Sequence, residues 1–260
     1  MSVTAHASRS VRADLRSLPA AVRSDWVKLS TLRSTGAVTA ATALLGALTS
    51  LAVARFVTDE VLFASDVFVF SSVLTGVLAA ITGLLLFTSE VQHGTLAGTL
   101  AAQPARWILV TSKAIIAAAR GLALGAIGMA AGFGGALAGG LAVGDTPIGT
   151  SAAWALLFTA LAALLGLGVG MVVGHGSAAV SGLLVWWFVV ENLMGLFLPA
   201  DALRFLPFYA GTSLLGIVSD FSTPEELAIA FTQAENALIF AGYTAAALLL
   251  GAVLLHRRDG

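Results

Sequence analysis

The chain has 260 residues, of which 58% are hydrophobic and 10% charged, with a formal net charge of −1 and a mean hydropathy of +0.95. So little polar material cannot cover the surface of a soluble domain of this size, and the charge balance gives no electrostatic case for a nucleic-acid partner. The absence of cysteine excludes disulfides, thiolate nucleophiles and cysteine-based metal sites.

The first 20 residues are polar and rich in Ser and Arg, with no apolar h-region before Gly36, so a cleaved signal peptide is not expected. Val22, Trp26, Leu29 and Arg33 then recur at helical spacing beside Lys28. Two readings fit residues 1–33. One is an amphipathic helix at the inner membrane surface, with Trp26 at the headgroups and cations toward anionic lipid. The other is a plain basic anchor.

From residue 34 to 260 the pattern is that of one polytopic all-α membrane domain. Apolar runs of about 20 residues, long enough to cross a bilayer as helices, fall near Thr35–Val57, Val67–Thr88, Ala114–Val143, Ala152–Gly174, Ala178–Leu198 and Ala234–Leu255. Arg9, Arg12, Arg16, Arg23, Lys28, Arg33, Arg106, Lys113, Arg257 and Arg258 lie on one side of these six spans. The other side holds Arg55 and Arg204 but most of the acids. The positive-inside rule predicts that both termini are cytoplasmic.

On that topology, Ser89–Lys113 is a long cytoplasmic loop and Gly174–Ser177 a minimal one. Pro199–Gln233 is the largest extracellular segment, yet Leu203, Phe205, Leu206, Phe208, Leu214 and Ile217 make it too apolar for a solvated loop. Its prolines and glycines break it into short pieces, which predicts a re-entrant hairpin between spans five and six. Ser222 to Glu226 read as a helix cap, with Pro224 near the start and acids in the first turn.

Span three carries Gly121, Gly125, Gly128, Gly132, Gly135 and Gly139 on one helix face, and span four carries Gly166, Gly170 and Gly174. Such faces let helices approach closely. Intrachain packing, a seam between subunits and a helix that slides during transport all use that geometry. Charges within spans are expensive and few. Arg120 is near enough to the cytoplasmic end of span three to snorkel. Glu235 is placed to cap span six. Glu191, about two turns from the outer end of span five, is either a satisfied interfacial carboxylate or part of a pathway or gate.

Catalytic readings fail. There is no P-loop sequence, and His93, His175 and His256 lack a metalloprotease context. Ser181-Gly182 follows Ala179 where an intramembrane serine protease motif needs Gly. The chain is not expected to be an enzyme.

The loop after span two is the most informative segment. Glu90 stands at the membrane exit, followed by the Gly94-Thr95 turn, Leu96 and Leu100 on one helix face, a break at Pro104, then Arg106 and Lys113 at re-entry. Glu90 is expected to be hydrated there. The leucines either enter a groove in a partner or sink into the lipid interface. This order, together with Asp25-Trp26-Val27-Lys28-Leu29, resembles the permeases of bacterial six-span ATP-binding-cassette exporters, the type-2 exporter family. Ser30 stands where that family commonly has Arg.

The resemblance implies a cell-membrane permease subunit that exports hydrophobic or amphipathic cargo such as drugs, lipids or peptides. It would pair with a second permease chain, as homodimer or heterodimer. The chain itself would carry no cofactor, while a separate ATP-binding subunit would use ATP and Mg²⁺. The 90–113 region would be the coupling helix seated in that subunit, through Glu90, Gly94, Thr95, Leu96, Leu100, Pro104 and Arg106. A channel or ion-coupled carrier would instead need a polar pathway, and a membrane scaffold or immunity protein would need no coupling helix.

Overall fold

The structure is a computed structural model that describes residues 17–30, 33–57, 61–102, 105–217 and 230–257. Pro104, the acids Asp220, Glu225 and Glu226, and the cap expected at residues 222–226 lie outside the described residues. Among the described residues the fold is all-helical. Helix α1 covers residues 17–30; α2 is Arg33–Phe56, α3 Ala64–Gln92, α4 Leu96–Ala102, α5 Arg106–Ala138 and α6 Ile148–Val173. Helix α7 is Gly176–Met194, α8 Ala200–Leu203, α9 Pro207–Ser213 and α10 Gln233–Arg257. Six of them, α2, α3, α5, α6, α7 and α10, are long and apolar enough to cross a membrane, as the hydropathy requires.

The ends of these helices move from their expected positions for identifiable reasons. Helix α3 starts at Ala64 rather than Val67, and its backbone tightens to a 3-10 turn at Phe68–Phe70. Helix α5 begins at Arg106, before the apolar run at Ala114, because its first turns bury polar groups described below. Its 33 residues span about 50 Å, well beyond a hydrocarbon core of about 30 Å. It stops at Gly139-Gly140, where Gly140 adopts φ +99°, and the expected continuation to Val143 is unwound.

Packing is close because small residues meet backbone. A Cβ on Gly83 of α3 would run into the carbonyl of Ala163 on α6, and a Cβ on Gly166 of α6 would run into that of Ala80 on α3. This reciprocal pair makes α3–α6 the central seam. In the apolar windows of α3 and α6, 61% and 56% of residues are buried, against 17% for α2 and 22% for both α7 and α10. The outer three helices therefore offer their apolar sides to lipid or to another chain.

The glycine face of α5 is filled from within the chain. Gly121 and Gly125 abut Thr159 of α6, Gly128 abuts Thr75 of α3, Gly132 faces Ser50 and Ser71, and Gly135 and Gly139 abut Ala47 and Ala54 of α2. Five of the six are buried, Gly139 being half-buried. The stripe is an intrachain packing face, with no open strip for a second subunit.

Helix α1, the end of α3, the start of α5 and the end of α10 meet at one end of the bundle, termed the near end. The opposite, far end carries α8 and α9.

Candidate functional site

At the near end, side chains distant in sequence form an ionic quartet in which Asp25, Glu90 and Lys113 are buried and Lys28 is half-exposed. Lys113, 1% exposed, places Nζ 2.9 Å from Glu90 Oε1 and 3.6 Å from Asp25 Oδ1. Lys28 Nζ lies 3.0 Å from the same Glu90 oxygen and 3.8 Å from Asp25 Oδ1. Ser112 donates to Asp25 Oδ2 at 2.9 Å, and Lys113 donates to the Leu86 carbonyl at 3.4 Å. Two carboxylates face two ammonium groups, so the quartet is neutral. Burial is what makes that balance necessary, since an unpaired charge here would be costly. Glu90 Oε2 is buried with no hydrogen-bond partner among the described residues. Glu90 is thus not the hydrated group expected from its place at a membrane exit; it ties α3 to α1 and α5.

The turn after α3 is a Schellman cap. Gly94, at φ +67°, donates its N–H to the Val91 carbonyl, and the Thr95 N–H reaches back to the Glu90 carbonyl at 3.0 Å. The left-handed conformation is open to Gly without strain, and Gly94 meets nothing that would forbid a side chain. Thr95 then starts α4, its carbonyl accepting from the Thr99 N–H at 3.0 Å.

Helix α4 lies with Leu96 and Leu100 turned inward, half-buried against the cluster formed by Phe87, Leu109 and Leu255, where Val22 and Leu29 of α1 also pack. Neither leucine faces outward, as seating in a partner's groove would need. The outward face carries Ala97, Gly98 and Ala101 instead. Arg106 donates to the Leu255 carbonyl at 2.8 Å, linking the start of α5 to the last turn of α10. Between α1, α4 and α5 lies a cleft of about 220 Å³ bordered by Ser24, Asp25, Lys28, Thr99 and Ser112.

No family model matches the chain, and no curated protein matches it. What the geometry offers is a short exposed helix joined to α3 by its cap and resting through two leucines on the near-end core, beside a quartet that ties α1, α3 and α5 together.

The remaining candidates lie elsewhere. Arg120 donates to the Thr35 carbonyl at 2.9 Å and the Thr39 hydroxyl at 2.8 Å, so it clamps α5 to the first turns of α2. Glu235 accepts from the Thr232 N–H and hydroxyl, both at 2.8 Å, and Glu235 N–H returns a bond to Thr232 at 3.3 Å, a capping box at the start of α10. Glu191, at the far end, accepts from the backbone N–H of Phe208 and Tyr209 and from the Trp186 indole. Among the described residues no three His, Asp or Glu side chains gather to hold a metal ion.

Asp25 is the site residue that the sequence left unassigned. Its signal is an acid at the spacing of Val22 and Leu29, on the apolar face of α1 rather than the wet one.

Proposed function

We propose that this chain is the membrane-spanning permease subunit of a bacterial ATP-binding-cassette exporter. It moves hydrophobic or amphipathic cargo out of the cytoplasm, driven by ATP and Mg²⁺ in a separate subunit. In this reading the near end and both termini are cytoplasmic, α4 is the coupling helix, and the 200–213 segment belongs to an outer hairpin. The exposed apolar sides of α2 and α7, including Leu44, Leu48, Phe188 and Leu193, are the surfaces available to a second permease chain and to lipid.

The observation that carries the reading is the bracing of α4. A motor subunit needs a handle whose displacement moves the spans as rigid bodies. Helix α4 is joined to α3 by the Glu90–Gly94–Thr95 cap and seated by Leu96 and Leu100 on the near-end core. The neighbouring quartet couples α1, α3 and α5, and Arg106 adds α10. Force applied to the Ala97–Ala101 face would pass to α3 through the cap and to the near-end core through the two leucines.

The test uses the full chain co-expressed with its ATP-binding subunit and reconstituted in liposomes. Ala97→Trp with Ala101→Trp leaves the inward leucines alone but adds bulk where the ATPase would seat. Loss of bound ATPase, or ATP hydrolysis without transport, with an unchanged melting profile is the expected result. Transport and ATPase binding equal to wild type would contradict the assignment.

A further inference from the structure

Glu191 lies in a setting built from hydrogen-bond donors alone. Oε1 accepts from the Phe208 N–H at 3.0 Å and from Trp186 Nε1–H at 3.1 Å, while Oε2 accepts from the Tyr209 N–H at 2.8 Å. The side chain is buried, and no ion pair reaches it among the described residues. The charged groups on the elements around it are otherwise engaged. Asp201 and Arg204, ahead of α9, pair with each other at 3.3 Å; Glu235 on α10 is held by Thr232; Asp66 at the start of α3 accepts from Thr146. Helix α6 has no charged residue. Tyr209 on α9 and Tyr243 on α10 are the phenols of those two elements.

Those donors are the ones α9 cannot satisfy alone. Leu206 at its N-cap offers no side-chain oxygen, Pro207 opens the first turn, and the N–H groups of Phe208 and Tyr209 are left over. Seven residues are too few to hold a helix by themselves. Helix α9 is therefore held at its start by Glu191 and by the Phe208 ring, which stacks on Trp187 at 4.1 Å between centroids and 13° between planes, while Gly211 packs on Phe158 and Phe240 and Gln233 donates to the Leu214 carbonyl at 2.9 Å. Trp187 and Trp186 lie in the π-helical turn Trp186–Val190 that ends at Glu191. That wider turn allows the Trp186 indole and the Glu191 carboxylate, five residues apart, to meet.

We propose that Glu191 is a proton-operated latch on α9. A carboxylate can accept all three bonds, whereas a carboxylic acid carries an O–H that must donate. Oε1 already receives two donors and Oε2 one, so the proton takes the free lone pair of Oε2 and lies buried with no acceptor among the three donors. The three bonds lose their charge assistance, which frees α9 to swing from the aromatic cluster of Trp187, Phe158 and Phe240. The latch opens the far end when that side acidifies.

The chain's lack of cysteine makes site-directed spin labels specific. Labels at Ser213→Cys and Leu238→Cys, in the full chain in liposomes, report the separation of α9 from α10 by pulsed electron–electron distance measurement. At alkaline pH one short distance is expected; on acidification a longer, broader population should replace it, and Glu191→Gln should show that population at every pH. Should Glu191→Gln not fold, Glu191→Asp keeps a titrating group on a shorter arm and should move the midpoint. A wild-type distance indifferent to pH, an acid response that survives in Glu191→Gln, or an unmoved midpoint in Glu191→Asp would each overturn the latch. No ATPase enters the readout, so the result is independent of the exporter reading.

Discussion

Glu90 and Glu191 are both buried carboxylates near helix ends, one at each end of the bundle, and they are neutralised in different ways. Glu90 meets two ammonium groups, Lys28 and Lys113, in a quartet completed by Asp25. Glu191 meets backbone and indole N–H dipoles alone. A charge paired with charges joins elements through side chains on α1, α3 and α5, and removing one partner strands the rest. A charge paired with dipoles holds a single short helix, and losing it frees only that helix. The near end is built as a joint and the far end as a clip.

The sharpest way to break this contrast is Lys113→Met. It leaves Glu90 and Asp25 buried with only the half-exposed Lys28 between them, and removing one partner of a buried ion pair costs about 3–5 kcal/mol. Thermal unfolding of the purified protein should show a larger drop for this substitution than for any of those that follow. Next comes the seam between the two ends. Gly83→Ala should cost about 1–3 kcal/mol through overpacking against the Ala163 carbonyl. Gly242→Ala, whose Cβ meets nothing within 4 Å, should be neutral or stabilising by the same unfolding measurement.

Glu191→Ala strands three donors at the clip and should cost about 1–3 kcal/mol. The loss should be local: amide exchange should accelerate over residues 208–213 and stay unchanged in α5 and α6. Lys28→Met is the mildest of the charge removals. Its side chain is 48% exposed, and Lys113 still holds Glu90, so a change of about 0–1 kcal/mol is expected in thermal unfolding. Equal losses from Lys28→Met and Lys113→Met would mean that burial does not rank the two cations.

The contrast also explains which features are legible in the sequence. Uninterrupted apolar runs specify the spans, but a hydropathy window ends wherever charge begins. That is why hydropathy starts α5 at Ala114 and not at Arg106: Ser112 and Lys113 read as loop, although Asp25 and Glu90 bury them. The glycine stripe on α5 is visible as a packing face, while its partners depend on small residues of α2, α3 and α6 that carry no pairwise signal. Leu96 and Leu100 announce one apolar face, but periodicity cannot say whether it turns toward a partner or toward the chain's own core. Glu191 stands out as a charge within a span, yet two of its three donors are backbone N–H groups, which every sequence has and none displays.

The most direct measurement of the exporter assignment is position-resolved photo-crosslinking from α4 in native membranes, with the captured protein identified by mass spectrometry. Probes at Ala97 and Ala101 should capture a subunit with an ATP-binding cassette, while probes at Leu96 and Leu100 should react within the chain. Capture of lipid alone from Ala97 and Ala101, with no ATP-binding subunit from any of the four positions, would contradict the account.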